Sequence, residues 1–282
     1  MNKIRIITDS ASDIPQGFNP IVTVLPMTIR FGDKEYKDGI DLSAKQFYEK
    51  LIESDELPAT SLIPPADFDR AFKNAVDNGE KVIAITMSGN LSGTYQSAVL
   101  TAAEYPDDVF VIDSKSVAVG EHILVLRAVE FAQKGLSVKE IVEILEAEKE
   151  KIHVLAVLDT LEYLKKGGRI SSTVAFVGGA LNLKPVVAVV DGKVQMLGKA
   201  RGSKNGNNYL VKEIESTAGV DFTKPVCLGY AGLNDTMLQK YIEDSESLWI
   251  GHEDSLRIAP IGPTIGTHIG PGAIGVAFIA KE

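Results

Sequence analysis

The chain has 282 residues, 45% hydrophobic and 24% charged, the balance of a globular protein long enough for two domains. Its 29 basic and 38 acidic residues leave a net charge of −9, which argues against broad electrostatic binding of nucleic acid or anionic lipid. One cysteine, Cys227, excludes an internal disulfide framework and a cysteine-based zinc site, and four scattered histidines show no metal-ligand spacing.

The opening run MNKIRIITDS reads as a short strand rather than a signal peptide, and no apolar stretch approaches the roughly 20 residues of a membrane span. A cytoplasmic protein without an integral membrane segment is the expectation. Residues 3–8 are rich in β-branched side chains and run into an Asp9-Ser10 turn. Residues 22–31 continue extended, and Gly32-Asp33 turns into another short extended segment. Ser43 caps a helix over 43–54 with Phe47, Leu51 and Ile52 as its apolar stripe. A second helix over 65–79 carries Phe68, Phe72 and Val76 and stops at Gly79. Residues 81–87 (KVIAITM) are an almost unbroken apolar run, suited to a strand buried on both faces of a parallel sheet. A helix over 94–104, a strand over 108–113 and helices over 122–134 and 137–151 follow. This alternation predicts an α/β, doubly wound, mostly parallel sheet for the N-terminal half.

The second half has a different texture. A strand over 153–158 leads to a short helix over 161–170 that ends in Lys165, Lys166 and Arg169. Residues 172–183 read as a helix rich in small residues. Segments 185–190 and 193–199 flank Asp191-Gly192, a strong two-residue hairpin signal. A helix over 207–216, a strand over 226–230, a helix over 236–245 and a final strand over 273–280 complete an α+β domain with antiparallel strands. The expected domains are 1–155 and 156–282.

Four motifs carry chemistry. SGNLSGT (88–94) lies between a buried strand and a helix, where unpaired backbone N–H groups and the helix dipole favour an anion. Ser92 and Thr94 add hydroxyls and Gly93 admits close approach; plain helix capping by the same residues is the alternative. The segment is neither a P-loop nor a nucleophile elbow. PATSLIPP (58–65) holds adjacent hydroxyls in a rigid extended loop, or is simply an N-cap beside proline. KKGGRIS (165–171) places three cations around two glycines at a helix C-terminus. They complement the dipole, or form an anion site with Arg169 as a bidentate clamp. TIGTHIGPG (264–272) sets His268 in a stiff Gly/Pro loop, as a satisfied buried histidine or a functional one. Gly270, Gly272 and Gly275 spell GxGxxG, but a strand rather than a helix follows, so this is no dinucleotide fingerprint. Ser92, His268 and one of Asp9, Asp38 and Asp113 can be drawn as a triad, although no elbow or separate oxyanion motif supports it.

Taken together, TDSASDIP, LPATSLIP, SGNLSGTYQSA, the Asp113-Ser114 strand end, LEYLKKGGRIS and GTHIGPGAIG, in this order over residues 3–280, resemble the DegV family. That family comprises bacterial fatty-acid-binding proteins, some of which serve as the acyl-carrying subunit of a fatty-acid kinase in lipid metabolism. The resemblance implies a two-domain α/β protein with a palmitate-like long-chain fatty acid between its domains. It assigns the carboxylate to Thr60, Ser92, Gly93 and His268, with ATSLIP in place of the commoner TSxPS leaving Ser61 as the alternative to Thr60. Arg169 and Arg201 would face the phosphate or the kinase subunit. Phe176 and Ile265 are candidates for the acyl-chain wall. No metal, cofactor or catalytic residue is expected, and without a nucleotide loop and a Mg²⁺-binding carboxylate cluster phosphoryl transfer is expected from a separate kinase. The rival readings are a serine acyl hydrolase using Ser92 and His268, and a small-anion binding protein.

Overall fold

The computed structural model describes residues 3–54, 56–171 and 182–281. In chain order the first half runs β1 (Lys3–Asp9), β2 (Val22–Leu25), β3 (Thr28–Phe31), β4 (Lys34–Lys37), α1 (Ala44–Glu53), β5 (Ala59–Ser61) and α2 (Pro65–Asp77). It continues with β6 (Glu80–Thr86), α3 (Thr94–Ala102), β7 (Val109–Asp113), α4 (Val119–Gln133) and α5 (Val138–Glu148). Four of these strands form a parallel sheet in the order β2-β1-β6-β7. Its centre shows why the fold is doubly wound. Val82 and Ala84 of β6 pack with Phe68 and Phe72 of α2, while Ile83 and Ile85 pack with Leu124 of α4 and Leu145 of α5. Alternate side chains thus meet helices on opposite faces, and each fully buried Val or Ile contributes about 1.5–3 kcal/mol.

A small antiparallel sheet, β4-β3-β5, stands apart from the large one. It packs against α1, whose capping box is formed by Ser43 and Gln46. The buried stripe of α1 is Phe47, Tyr48 and Leu51; the expected Ile52 is 58% exposed. Five residues at 100° per residue carry Ile52 about 140° around the helix from Phe47, off the core face.

The second half comprises β8 (Ile152–Val157), α6 (Glu162–Lys166), β9 (Leu183–Val190), β10 (Lys193–Arg201), α7 (Ser203–Glu215), β11 (Val226–Tyr230) and α8 (Thr236–Asp244). After these come α9 (Glu246–Trp249), β12 (Leu256–Pro260), α10 (Pro263–Ile269) and β13 (Ile274–Ile279). Six strands form one sheet in the order β10-β9-β8-β13-β11-β12, antiparallel except for the β11–β12 pair. Residue 155 falls inside β8, so this sheet begins before the expected boundary. The hairpin pairs Val190 with Lys193, and Asp191 and Gly192 both have positive φ (49° and 73°), as a two-residue turn requires. Helix α4 packs against β6 on one side and β8, β11 and β13 on the other, which joins the two sheets through one shared core.

Three expectations need correction. The glycine-rich segment 264–272, expected to be a loop, is helical over Pro263–Ile269. Its start is satisfied from far away: the Gly262 N–H donates to Asp13 Oδ1 at 2.8 Å and the Thr264 N–H to Asp38 Oδ2 at 3.0 Å. Strand β12 was not anticipated, because an exposed edge strand with mixed side chains has no hydrophobic alternation to read. Helix α7 begins at Ser203 rather than near 207, since the polar SKNGNN run hides its start. Most of the helix expected over 172–183, with Phe176, lies outside the described residues; Leu183 opens β9.

Candidate functional site

The residues expected to hold a carboxylate, with Arg169, reach one place from four separate segments. β5 pairs with β3, setting Thr60 opposite Ile29. Its Oγ1 lies 2.9 Å from Nε2 of His268 on the last turn of α10. The C-terminus of α6 abuts the same ring: a Cβ at Gly167 would fall 2.4 Å from His268 Nδ1, so only glycine leaves the imidazole its place. Arg169 then links two of the motifs, donating through Nε to the Leu91 carbonyl (3.2 Å) and through Nη1 to the Gly167 carbonyl (2.5 Å). Ser92 Oγ accepts the Thr94 N–H at 3.2 Å and lies 2.9 Å from Thr94 Oγ1. Ser92 thus braces the entry to α3, whose N-cap is Gly93, and lines the site as well.

The loop over 88–94 is also pinned from the hairpin turn, which the motif reading did not foresee. Ser88 Oγ donates to the Gly192 carbonyl at 2.7 Å and Asn90 Nδ2 to the Asp191 carbonyl at 2.9 Å. These contacts span about 100 residues and leave no local trace.

Burial, and second the nearby Arg169 cation, push the His268 imidazole down to about 4, so the ring is neutral at neutral pH. Its Nδ1 is buried without a hydrogen-bond partner. With Nε2 protonated, the ring donates to Thr60 Oγ1 and leaves the threonine hydroxyl proton for a ligand oxygen. The three aspartates once drawn with it serve backbone instead. Asp9 accepts the Ala11 and Met87 N–H groups, Asp38 accepts from Thr264, and Asp113 accepts the Gly89 and Lys115 N–H groups. Burial pushes Asp9 up to about 7 and Asp38 up to about 6. Among the described residues no carboxylate bonds the imidazole, and Ser92 lies against Thr94, so these residues do not form the relay of a Ser-His-Asp triad.

A cavity of about 390 Å³ collects these groups. Thr60, Ser61, Ser92, Gly93, Arg169 and His268 line it together with apolar Met27, Leu91 and Ile265. Val117, Leu164, Val194, Ile265 and Ile269 also border a deeper space of about 70 Å³ whose described lining is wholly apolar. On the outer side, Thr60, Arg169 and His268 form one wall of a third pocket of about 450 Å³ that includes Lys166 and Tyr163. Thr60, Arg169 and His268 thus stand between the first cavity and this third pocket. Arg201 is not with them; it lines a separate polar groove of about 610 Å³ with Lys199 and Lys212. Phe176 lies outside the described residues. Met27, Leu164 and Val194 were missed because isolated apolar residues on different elements share no spacing. Among the described residues, no group of three or more His, Cys, Asp or Glu side chains could hold a metal ion, and no helix is long and apolar enough to cross a membrane.

A family model of DegV proteins matches residues 3–281. A DegV domain-containing protein of Caldanaerobacter subterraneus is 36% identical over the full length of both chains. A DegV family protein from Thermus thermophilus, described for its fatty acid binding, superposes with a TM-score of 0.88 at 31% identity, covering 99% of this chain and 100% of its own. The fatty acid kinase (Fak) B3 protein of Streptococcus pneumoniae, loaded with linoleic acid, superposes with a TM-score of 0.86 at 27% identity, covering 99% of this chain and 100% of its own.

Proposed function

This chain belongs to the DegV family, and we propose that it binds a long-chain, palmitate-like fatty acid and presents the carboxyl group to a separate kinase subunit for acyl-phosphate formation. The observation that carries this reading is a cavity with two kinds of wall: Thr60, Ser61, Ser92, a neutral His268 and Arg169 on one part, and on another five apolar residues shared with an adjoining wholly apolar space. Each methylene placed in that apolar space contributes about 0.8 kcal/mol. A carboxylate leaving water needs donors; Thr60, Ser92 and the Gly93 N–H are placed to supply them, and His268 acts on the carboxylate by orienting the Thr60 hydroxyl. The solved relatives from Thermus and Streptococcus, which bind fatty acids, support the same ligand class.

Arg169 borders both the inner cavity and the outer pocket, beside Lys166. In this reading it engages the phosphate or the kinase more than the fatty acid, since a guanidinium matches two phosphate oxygens. Arg201 lies in the separate groove, which mixes Lys199 and Lys212 with Glu215 and Asp244, and in this reading faces the partner. The chain is a carrier without phosphoryl-transfer machinery of its own, and service to a kinase places it in the cytoplasm.

Denaturing extraction and lipid mass spectrometry of protein purified without added lipid test the ligand. A long-chain fatty acid near one per chain is expected; stoichiometric nucleotide or flavin with no acyl chain would overturn the reading. Ser92→Ala and Thr60→Val should each cost about 1.5–3 kcal/mol of fatty-acid affinity. If both bind within twofold of wild type, the carboxylate lies elsewhere.

A further inference from the structure

We propose that Ile261 and Gly275 set the length of acyl chain this protein accepts, Ile261 as the end stop and Gly275 as the space for the last methylenes. The ligand class rests on the fatty-acid reading above; the two residues come from the packing of the six-stranded sheet.

The register of that sheet puts small residues in one row across four strands. Gly229 of β11 faces Gly275 of β13, Gly275 faces Ala156 of β8, and Gly229 on its other side faces Ala259 of β12. Residues directly opposite one another in a sheet share a face, so this row is a shallow trough. Glycine in a strand interior weakens the strand, and two glycines facing each other need a reason.

For Gly229 the reason is packing. A Cβ there would meet Ile261 Cδ1 at 2.5 Å and Val119 Cγ1 at 3.0 Å. Ile261 already occupies that part of the trough. It is 3% exposed, and its N–H is held by the Tyr230 carbonyl at 2.8 Å. For Gly275 packing gives no reason. The nearest atoms to a Cβ there are Val119 Cγ2 at 3.7 Å and the Leu155 carbonyl oxygen at 3.9 Å, which are ordinary contacts, and its φ is not positive. Protein atoms would tolerate a side chain at 275. Gly275 nonetheless lines the deep apolar space together with Ile261, Val119 and Ala156. One half of the trough is filled by Ile261, and the other half is left for the tail of a ligand.

The test is a binding series of saturated fatty acids from ten to twenty carbons on delipidated wild type, Gly275→Ala, Gly275→Val and Ile261→Val. In Gly275→Val the longest well-bound chain should shorten by about two carbons. Two methylenes excluded at about 0.8 kcal/mol each lower the affinity of that chain about fifteenfold, and the shortest acids should bind as to wild type. Gly275→Ala should give a smaller shift in the same direction. Ile261→Val deletes Cδ1, the atom over Gly229, and should lengthen the optimum by about one carbon. Gly275→Ala and Ile261→Val are small changes that carry the test even if Gly275→Val does not fold. Wild type binding fatty acids while neither of these two small variants moves the optimum would overturn the length assignment alone. Wild type binding no fatty acid at all would overturn the ligand reading, and the assignment with it.

Discussion

At the head of the cavity, Thr60, Ser92, Arg169 and His268 arrive from four segments and are held by directional bonds, such as the 2.9 Å contact of Thr60 with His268 and the 3.2 Å bond from Arg169 to Leu91. At the tail, Val119, Ala156, Ile261 and Gly275 present only apolar surface and are held by strand register and side-chain packing. The two ends therefore respond to different currencies of change. Removing one polar atom at the head alters the strength of binding for every ligand with the same head group. Adding or removing one methyl at the tail alters which ligand fits, because close-packed surfaces discriminate by volume.

The comparison breaks hardest where the head depends on a buried charge. Asp38 accepts two bonds from Thr264, at 3.0 Å from N–H and 2.5 Å from the hydroxyl, and so anchors the start of the helix that carries His268. Thr264→Val should cost about 3 kcal/mol of unfolding free energy at pH 7, read by urea denaturation. Burial raises Asp38 to about 6, above its ordinary 3.8, so its contribution to stability is full below about pH 4 and is lost as pH rises through 6. At pH 4 the carboxyl is protonated, and the variant should lose only a neutral hydrogen bond of about 1 kcal/mol. An equal loss at both pH values would show that Asp38 is not the partner that matters.

A smaller effect sharpens the contrast directly. Gly167→Ala puts a methyl where His268 Nδ1 stands, 2.4 Å away, and forces the ring off Thr60. Fatty-acid affinity should fall by about 1 kcal/mol, the worth of one neutral hydrogen bond. The loss should be the same for short and long chains, in calorimetric titrations across the series. A loss that grows with chain length would mean that the two ends of the cavity are mechanically coupled.

The smallest effect concerns charge alone. His268 should titrate near pH 4 by NMR of its ring protons, well below the ordinary 6.5. Its contribution to stability is therefore present above 6.5 and lost as pH falls toward 4. Arg169→Ala removes the second of the two causes and should raise the midpoint, while burial keeps it below 6.5. A midpoint that does not move would detach Arg169 from the head group.

Much of the architecture is legible in the sequence, because its causes are local. The KVIAITM run reads as a doubly buried strand from its own composition, and the Ser43 cap of α1 and the Asp191-Gly192 turn lie within the features they create. Thr60, Ser92, Arg169 and His268, which share one cavity lining, stand out in the sequence too, since hydroxyls beside a helix start and a histidine among glycines are short-range patterns. The helix of Pro263–Ile269 does not, because the carboxylates that satisfy its start, Asp13 and Asp38, lie 249 and 226 residues away. The pairing of Thr60 with His268 spans 208 residues and follows only from the way β5 and α10 meet. The depth of the cavity was decided last of all. Gly229 and Gly275 are the same residue on neighbouring strands, and the sequence cannot say which is filled; only the tertiary packing of Ile261 over one and not the other makes that distinction.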